Sequence, residues 1–212
     1  MTAKELINII NDYDVKVVFD KPEEVAQKIM NGISSPIFFT PVEGAEREKY
    51  EKSNQKSTFI STTECIHIPD LEITDIIDIF QCSGTAIYDM TVKLVTPYVD
   101  EAAPDEIVFM AFLFLHEVGH WKQFIDKSKL VEEFTNIDLL LDKDNFDKTQ
   151  RVMQERNERI SRGNNCPLTA KERKALEQLF QEYRQIPKEK DADNFAFGQI
   201  NNALKKYKNI IG

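Results

Sequence analysis

The stretch His116-Glu117-Val118-Gly119-His120, set within Pro104 to Asp126, decides how the rest of the chain is read. Its form is H-E-x-x-H. At 3.6 residues per turn, residues four apart lie one turn apart on one helix face, so the two imidazoles can converge on a single metal ion at about 2.0–2.1 Å. Glu117 sits about 100° further round, close enough to take a proton from a water on the metal without ligating the metal itself. Zinc lowers the pKa of such a water toward ~7, and a carboxylate can accept its proton as the water attacks a carbonyl.

The chain holds three histidines. At that composition, chance places one such pentapeptide in a chain of this length roughly 0.4% of the time. The flanks agree with the motif. Pro104 suits a first helical position, Asp105 and Glu106 favour the positive end of a helix, and Ile107 to Leu115 is an unbroken apolar run. A helix that is apolar all round is a buried one. The competing reading, an ordinary core helix that happens to hold two histidines, leaves the spacing unexplained.

Composition narrows the class. The 212 residues, 42% hydrophobic and 30% charged, suit one soluble globular domain. The expectation is a single domain over 1–212, with an N-terminal lobe at about 1–100 and a helical lobe at about 101–212. A net charge of −9 speaks against nonspecific binding to nucleic acid or to an anionic membrane, which needs clustered Lys and Arg. The one basic cluster, Lys205, Lys206 and Lys208, reads as a solvated helix end. No apolar run is long enough to span a bilayer, and Met1 to Asn11 lacks the pattern of a signal peptide. Cys65, Cys82 and Cys166 have no metal-type spacing and read as reduced thiols, structural or incidental, which fits a cytoplasmic location.

Along the chain, Thr2-Ala3-Lys4-Glu5 is a capping box opening a helix to about Asn11. Val15 to Phe19 and Ile37 to Thr40 read as strands, and Pro22 opens a short helix between them that stops at Gly32. Pro41 to Lys56 is highly charged, a loop or exposed helix that could select substrates. Thr58 to Thr62 and Cys65 to Ile68 alternate as strands, and Ile73 to Cys82 reads as a helix. Thr85 to Val99 fits helix or strand, with helix the preferred reading. Leu130 to Leu141 and Phe146 to Ile160 follow the metal helix, and Gly163 to Pro167 breaks the pattern. A second capping box at Thr169 opens a helix to about Ile186, and Pro187 starts the last one, to about Tyr207. A small N-terminal mixed sheet with helices, then a mainly helical half, makes the fold class α+β.

Two histidines leave a catalytic zinc one protein ligand short. The arrangement H-E-x-x-H-x-x-G-x-x-H is not met, because its last two fixed positions are Gln123 and Asp126. Asp126 remains a candidate, and Glu189 is the better one. It lies in Pro187-Lys188-Glu189-Lys190-Asp191-Ala192-Asp193-Asn194-Phe195-Ala196, where Glu189 and Asp193 share one helix face. Small Ala192 and Ala196 would let two helices approach closely. Asp193 would then accept an N–H from His116 or His120 and fix its tautomer. An exposed acidic helix start is the plainer alternative.

H-E-V-G-H followed by E-x-D-A-D-x-F-A resembles the gluzincin pattern of ImmA/IrrE-type peptidases, and E-x-x-A-D is similar to that of HtpX-like peptidases. Cys65-Ile66-His67-Ile68-Pro69 ahead of the metal helix also resembles the ImmA/IrrE layout. The resemblance implies a zincin-like fold and Zn2+ held by His116, His120 and Glu189. It also implies Glu117 as general base, Asp193 behind a ligand, and a protein or peptide substrate such as a regulatory repressor. The 68 residues between His120 and Glu189 exceed what the ImmA/IrrE layout leads one to expect. HtpX-like proteins tolerate such spacing but carry membrane helices. The expected activity is thus that of a zinc metallopeptidase; the alternative is a non-catalytic zinc-binding or sensor module on the same fold. His67 reads as a surface or satisfied histidine and Trp121 as core packing. Tyr88, Tyr98, Tyr183 and Tyr207 are all available to stabilise an oxyanion.

Overall fold

The computed structural model describes residues 1–30, 35–41, 64–82, 86–127, 131–161 and 168–211. Thr2 caps helix α1 (Ala3–Ile10) through the expected capping box. Its hydroxyl accepts from Glu5 N at 3.1 Å, and Glu5 Oε2 accepts from Thr2 N at 2.8 Å. Strand β1 (Lys16–Asp20) and helix α2 (Pro22–Met30) follow, then the short strand β2 (Phe38–Thr40) and strand β3 (Cys65–Pro69). The sheet order is β1-β3-β2, with β1 parallel and β2 antiparallel to the central β3. The expected strand at Thr58 to Thr62 and the charged segment after Pro41 lie outside the described residues.

Helix α3 (Ile73–Cys82) matches its expected bounds, and α4 (Ile87–Val95) ends in a 3-10 turn at Thr96–Tyr98. The centre of the molecule is α5 (Asp105–Lys127), whose run Ile107 to Leu115 is buried at every position. Each such side chain contributes about 1.5–3 kcal/mol through burial, so the core, without help from any metal, holds this helix in place. Trp121 joins that core, as expected.

The helical half departs from expectation most at one break. Helix α6 (Val131–Asn136) stops early, and α7 (Leu139–Ser161) runs as one helix, where the sequence suggested a helix to Leu141 and a new one at Phe146. The break falls at Asp138, whose φ of 58° is left-handed. Its carboxylate accepts from the backbone N of Lys188 at 3.0 Å, so the turn is tied to the start of another helix. The second capping box opens α8 (Ala170–Tyr183), and α9 (Pro187–Ile211) runs four residues beyond the expected end. Helix α9 lies along α5, and both touch α1. Of the three lysines read as solvated, Lys206 pairs with Asp12 and Lys208 with Glu101. The result is the expected α+β fold, mostly helical with a small mixed sheet near the N-terminus. Among the described residues, no helix is long and apolar enough to cross a membrane.

Candidate metal centre

The contact between α5 and α9 brings the two sequence motifs together. A Cβ added to Gly119 would lie 2.8 Å from Ala192 Cα and 2.9 Å from Ala192 O, so these positions meet backbone to backbone. Only glycine permits that approach, and Ala192 keeps its own side small. One turn away along α9, Glu189 faces His116 and His120. All three are buried, although 68 residues separate His120 from Glu189.

The spacing of their donor atoms is informative. His116 Nε2 lies 3.1 Å from His120 Nε2 and 3.2 Å from Glu189 Oε2, and His120 Nε2 lies 3.4 Å from the same oxygen. Tetrahedral ligands at about 2.0–2.1 Å from a metal are about 3.3–3.4 Å apart, so the three atoms form close to one face of that tetrahedron.

Outer contacts fix which imidazole nitrogens point inward. His116 Nδ1 donates to Asp193 Oδ1 at 2.8 Å, because an ionised carboxylate can only accept. Gln123 Nε2 donates to the carbonyl of Lys188 at 2.7 Å, which leaves Gln123 Oε1 to accept from His120 Nδ1 at 3.0 Å. Both Nε2 atoms therefore direct lone pairs at one point, where Glu189 adds a carboxylate oxygen. Three acceptors facing one another call for a cation between them. A divalent metal fits the donor set, and a proton is the other occupant chemistry allows. Burial disfavours the His116 imidazolium, yet the Asp193 and Glu189 carboxylates outweigh it and raise His116 to about 9. Glu189 is held well below the usual carboxylate range, the neighbouring imidazoles prevailing over its burial.

Several parts of this arrangement were not evident in the sequence. Arg184 Nη1 donates to Asp193 Oδ1 at 2.7 Å, both side chains being buried, and its guanidinium lies among the rings of Phe112, Phe180 and Tyr183. Lys188 is clamped on both sides, its N–H by Asp138 and its carbonyl by Gln123, which sets the position of Glu189 next to it. Gln123, three residues after His120 on one helix face, could have been suspected from its spacing. Arg184 and Asp138 carried no such signal. Asp126, the alternative ligand, is exposed and outside the donor group.

Glu117 lies beside the triangle, as its place in the helix requires. Burial raises its pKa, partly offset by the two imidazoles and by the backbone N–H of Phe39, which donates to Oε2 at 2.7 Å. The donor comes from β2, an edge strand of the sheet. Next to Glu117 and His116 opens a cavity of about 260 Å³ with apolar walls that include Leu113, Leu176, Leu179 and Phe180. Of the four tyrosines considered, Tyr183 lines this cavity, where burial, with Glu189 close by, pushes its hydroxyl pKa well above the ordinary value. Tyr98 instead stacks on Phe197, and Tyr88 packs on Phe109.

No protein-family model, no curated protein and no solved structure matches this chain.

Proposed function

We propose that this protein is a zinc-dependent metallopeptidase of the gluzincin type, resembling ImmA/IrrE-type peptidases, with His116, His120 and Glu189 as the metal ligands. The observation that carries the reading is the tetrahedral-edge spacing of three buried acceptor atoms beside a fourth residue, Glu117, which is placed to act on water. Zinc, when bound, would supply the positive charge that polarises a substrate carbonyl and makes water more acidic. Glu117 accepts the proton of the attacking water and returns it to the leaving nitrogen. The N–H of Phe39 fixes the orientation of that carboxylate, and its raised pKa suits a group that must both take and give a proton. Tyr183, in the cavity wall, offers a hydroxyl for the developing oxyanion. The cavity takes an apolar side chain of the peptide flanking the scissile bond.

Zinc content and turnover test the proposal together. Purified protein should hold one zinc per chain, lost in Glu189→Gln and kept in Asp126→Asn. Glu117→Gln should keep the zinc and abolish peptide hydrolysis. A second reading takes its support from the bond between Glu117 and Phe39: the carboxylate ties helix α5 to β2, and the module binds zinc without hydrolysis. Under that reading Glu117→Gln costs stability and changes no turnover, because there is none to change.

A further inference from the structure

A second cluster of titratable groups lies in the sheet, away from the metal ligands. Cys65 and His67, two apart on β3, share one face, and Asp20 reaches the same face from the parallel neighbour β1, where Val18 pairs with His67. Cys65 Sγ lies 3.3 Å from His67 Nε2, and His67 Nδ1 lies 3.0 and 3.2 Å from the two oxygens of Asp20. All three are buried, with Cys65 fully covered. The ring of Phe38 stacks on His67 at 4.7 Å, so β2 forms the lid.

The proton count follows from the geometry. Asp20 can only accept, so Nδ1 donates to it, and a single proton is shared between Nε2 and the sulfur. A carboxylate behind the imidazole strengthens it as a base for the thiol proton, as in any cysteine activated by a base that a third group orients. Burial alone would push His67 down, but Asp20 and Cys65 outweigh it and raise the imidazole to about 9. Such a cluster is a poor stability device, since apolar replacements of buried ion pairs are often neutral or stabilising.

We propose that His67, oriented through Asp20, takes the thiol proton of Cys65 at Nε2, that the sulfur is then oxidised by hydrogen peroxide to the sulfenic acid, and that this displaces β2 from Glu117. The sulfur lone pair attacks one peroxide oxygen and the O–O bond breaks. Hydroxide leaves and takes the Nε2 proton of His67 to become water, so that sulfur is oxidised by two electrons and peroxide reduced by two. Access comes through β2, a three-residue edge strand whose Thr40 pairs with Cys65. Short edge strands open locally at low cost. The fully covered sulfur has no room for an added oxygen, so Phe38 or Thr40 must yield, and between them sits Phe39, whose N–H holds Glu117.

The test uses the full chain with Cys82→Ser and Cys166→Ser, treated with hydrogen peroxide in the presence of dimedone near pH 7 and read by intact mass and peptide mapping. The expected result is one adduct at Cys65, formed at least about tenfold faster in the folded chain than in urea, where His67 and Asp20 no longer stand beside the thiol. Asp20→Asn, checked for folding by circular dichroism, should slow the folded reaction by a similar factor. In the oxidised protein the amide of Phe39 should exchange with solvent faster. Labelling that is slower in the folded chain than in urea, or unchanged in a folded Asp20→Asn, overturns the activation of Cys65 by His67. A Phe39 amide that stays protected overturns the link to β2.

Discussion

Replacing Gly119 by alanine tests whether the helix contact, and not the motif alone, makes the metal site. The new methyl carbon would sit 2.8 Å from Ala192 Cα, against at least 3.4 Å for ordinary contact, so the backbones of α5 and α9 must part by 0.6 Å or the chain must bend. Metal–ligand distances tolerate only about 0.2 Å. His116 and His120 flank Gly119 on α5, while Glu189 is one turn from Ala192 on α9, so the parting falls on the gap between the imidazoles and the carboxylate. Overpacking costs about 1–3 kcal/mol, and alanine regains about 1 kcal/mol of helix propensity, leaving a net loss of about 0–2 kcal/mol. Zinc affinity should fall further than stability, by about tenfold or more. Urea unfolding and competition with a chromophoric chelator measure the two separately. Gly198→Ala on α9 is the control: a Cβ there meets nothing within 4 Å, so it should stabilise by about 0.5–1 kcal/mol and leave zinc binding alone. If Gly119→Ala behaves like Gly198→Ala, the reasoning fails.

Four further outcomes follow from the site. Asp193→Asn should weaken zinc binding by about 10–100-fold without abolishing it, since it removes the negative charge behind His116 and no ligand, as chelator competition would show. Arg184→Met should cost about 3–5 kcal/mol in urea unfolding, because it strands the buried Asp193 carboxylate. Tyr183→Phe should lower kcat of any peptidase activity by about 10²–10³-fold with little change in KM, and a pure KM effect would refute the oxyanion role. Zinc binding must displace the His116 proton, so affinity should rise with pH up to about 9, and calorimetry in buffers of different ionisation enthalpy should find about one proton released per zinc near pH 7.5.

Periodicity and local chemistry made most of the architecture legible. The capping boxes at Thr2 and Thr169, the apolar run of α5 and the β-branched and apolar strands flanking Pro22 are each written in a few neighbouring residues, and all appear in the structure. The break at Asp138 was missed because its cause lies fifty positions away, in the N–H of Lys188. The same limit applies to the site. His116 and His120 announce themselves by spacing, and Glu189 and Asp193 by sharing a helix face. Arg184 has no periodic relation to either motif, and Phe39 reaches Glu117 through its backbone, which no side-chain pattern can reveal.

Those unannounced residues also decide the charge of the site. Glu117, Glu189 and Asp193 bring three carboxylates and Arg184 one guanidinium, so with both imidazoles neutral the buried cluster carries −2. Uncompensated buried charge is costly, and the pKa shifts express that cost, with burial favouring the neutral form of Glu117 and the carboxylates retaining a proton on His116. A dication brings the sum to zero with every ligand in its binding form. Without Arg184 the cluster would stand at −3 and hold protons more tightly against the metal. On the proposed reading, the guanidinium is the group that matches the charge of the cluster to a divalent ion.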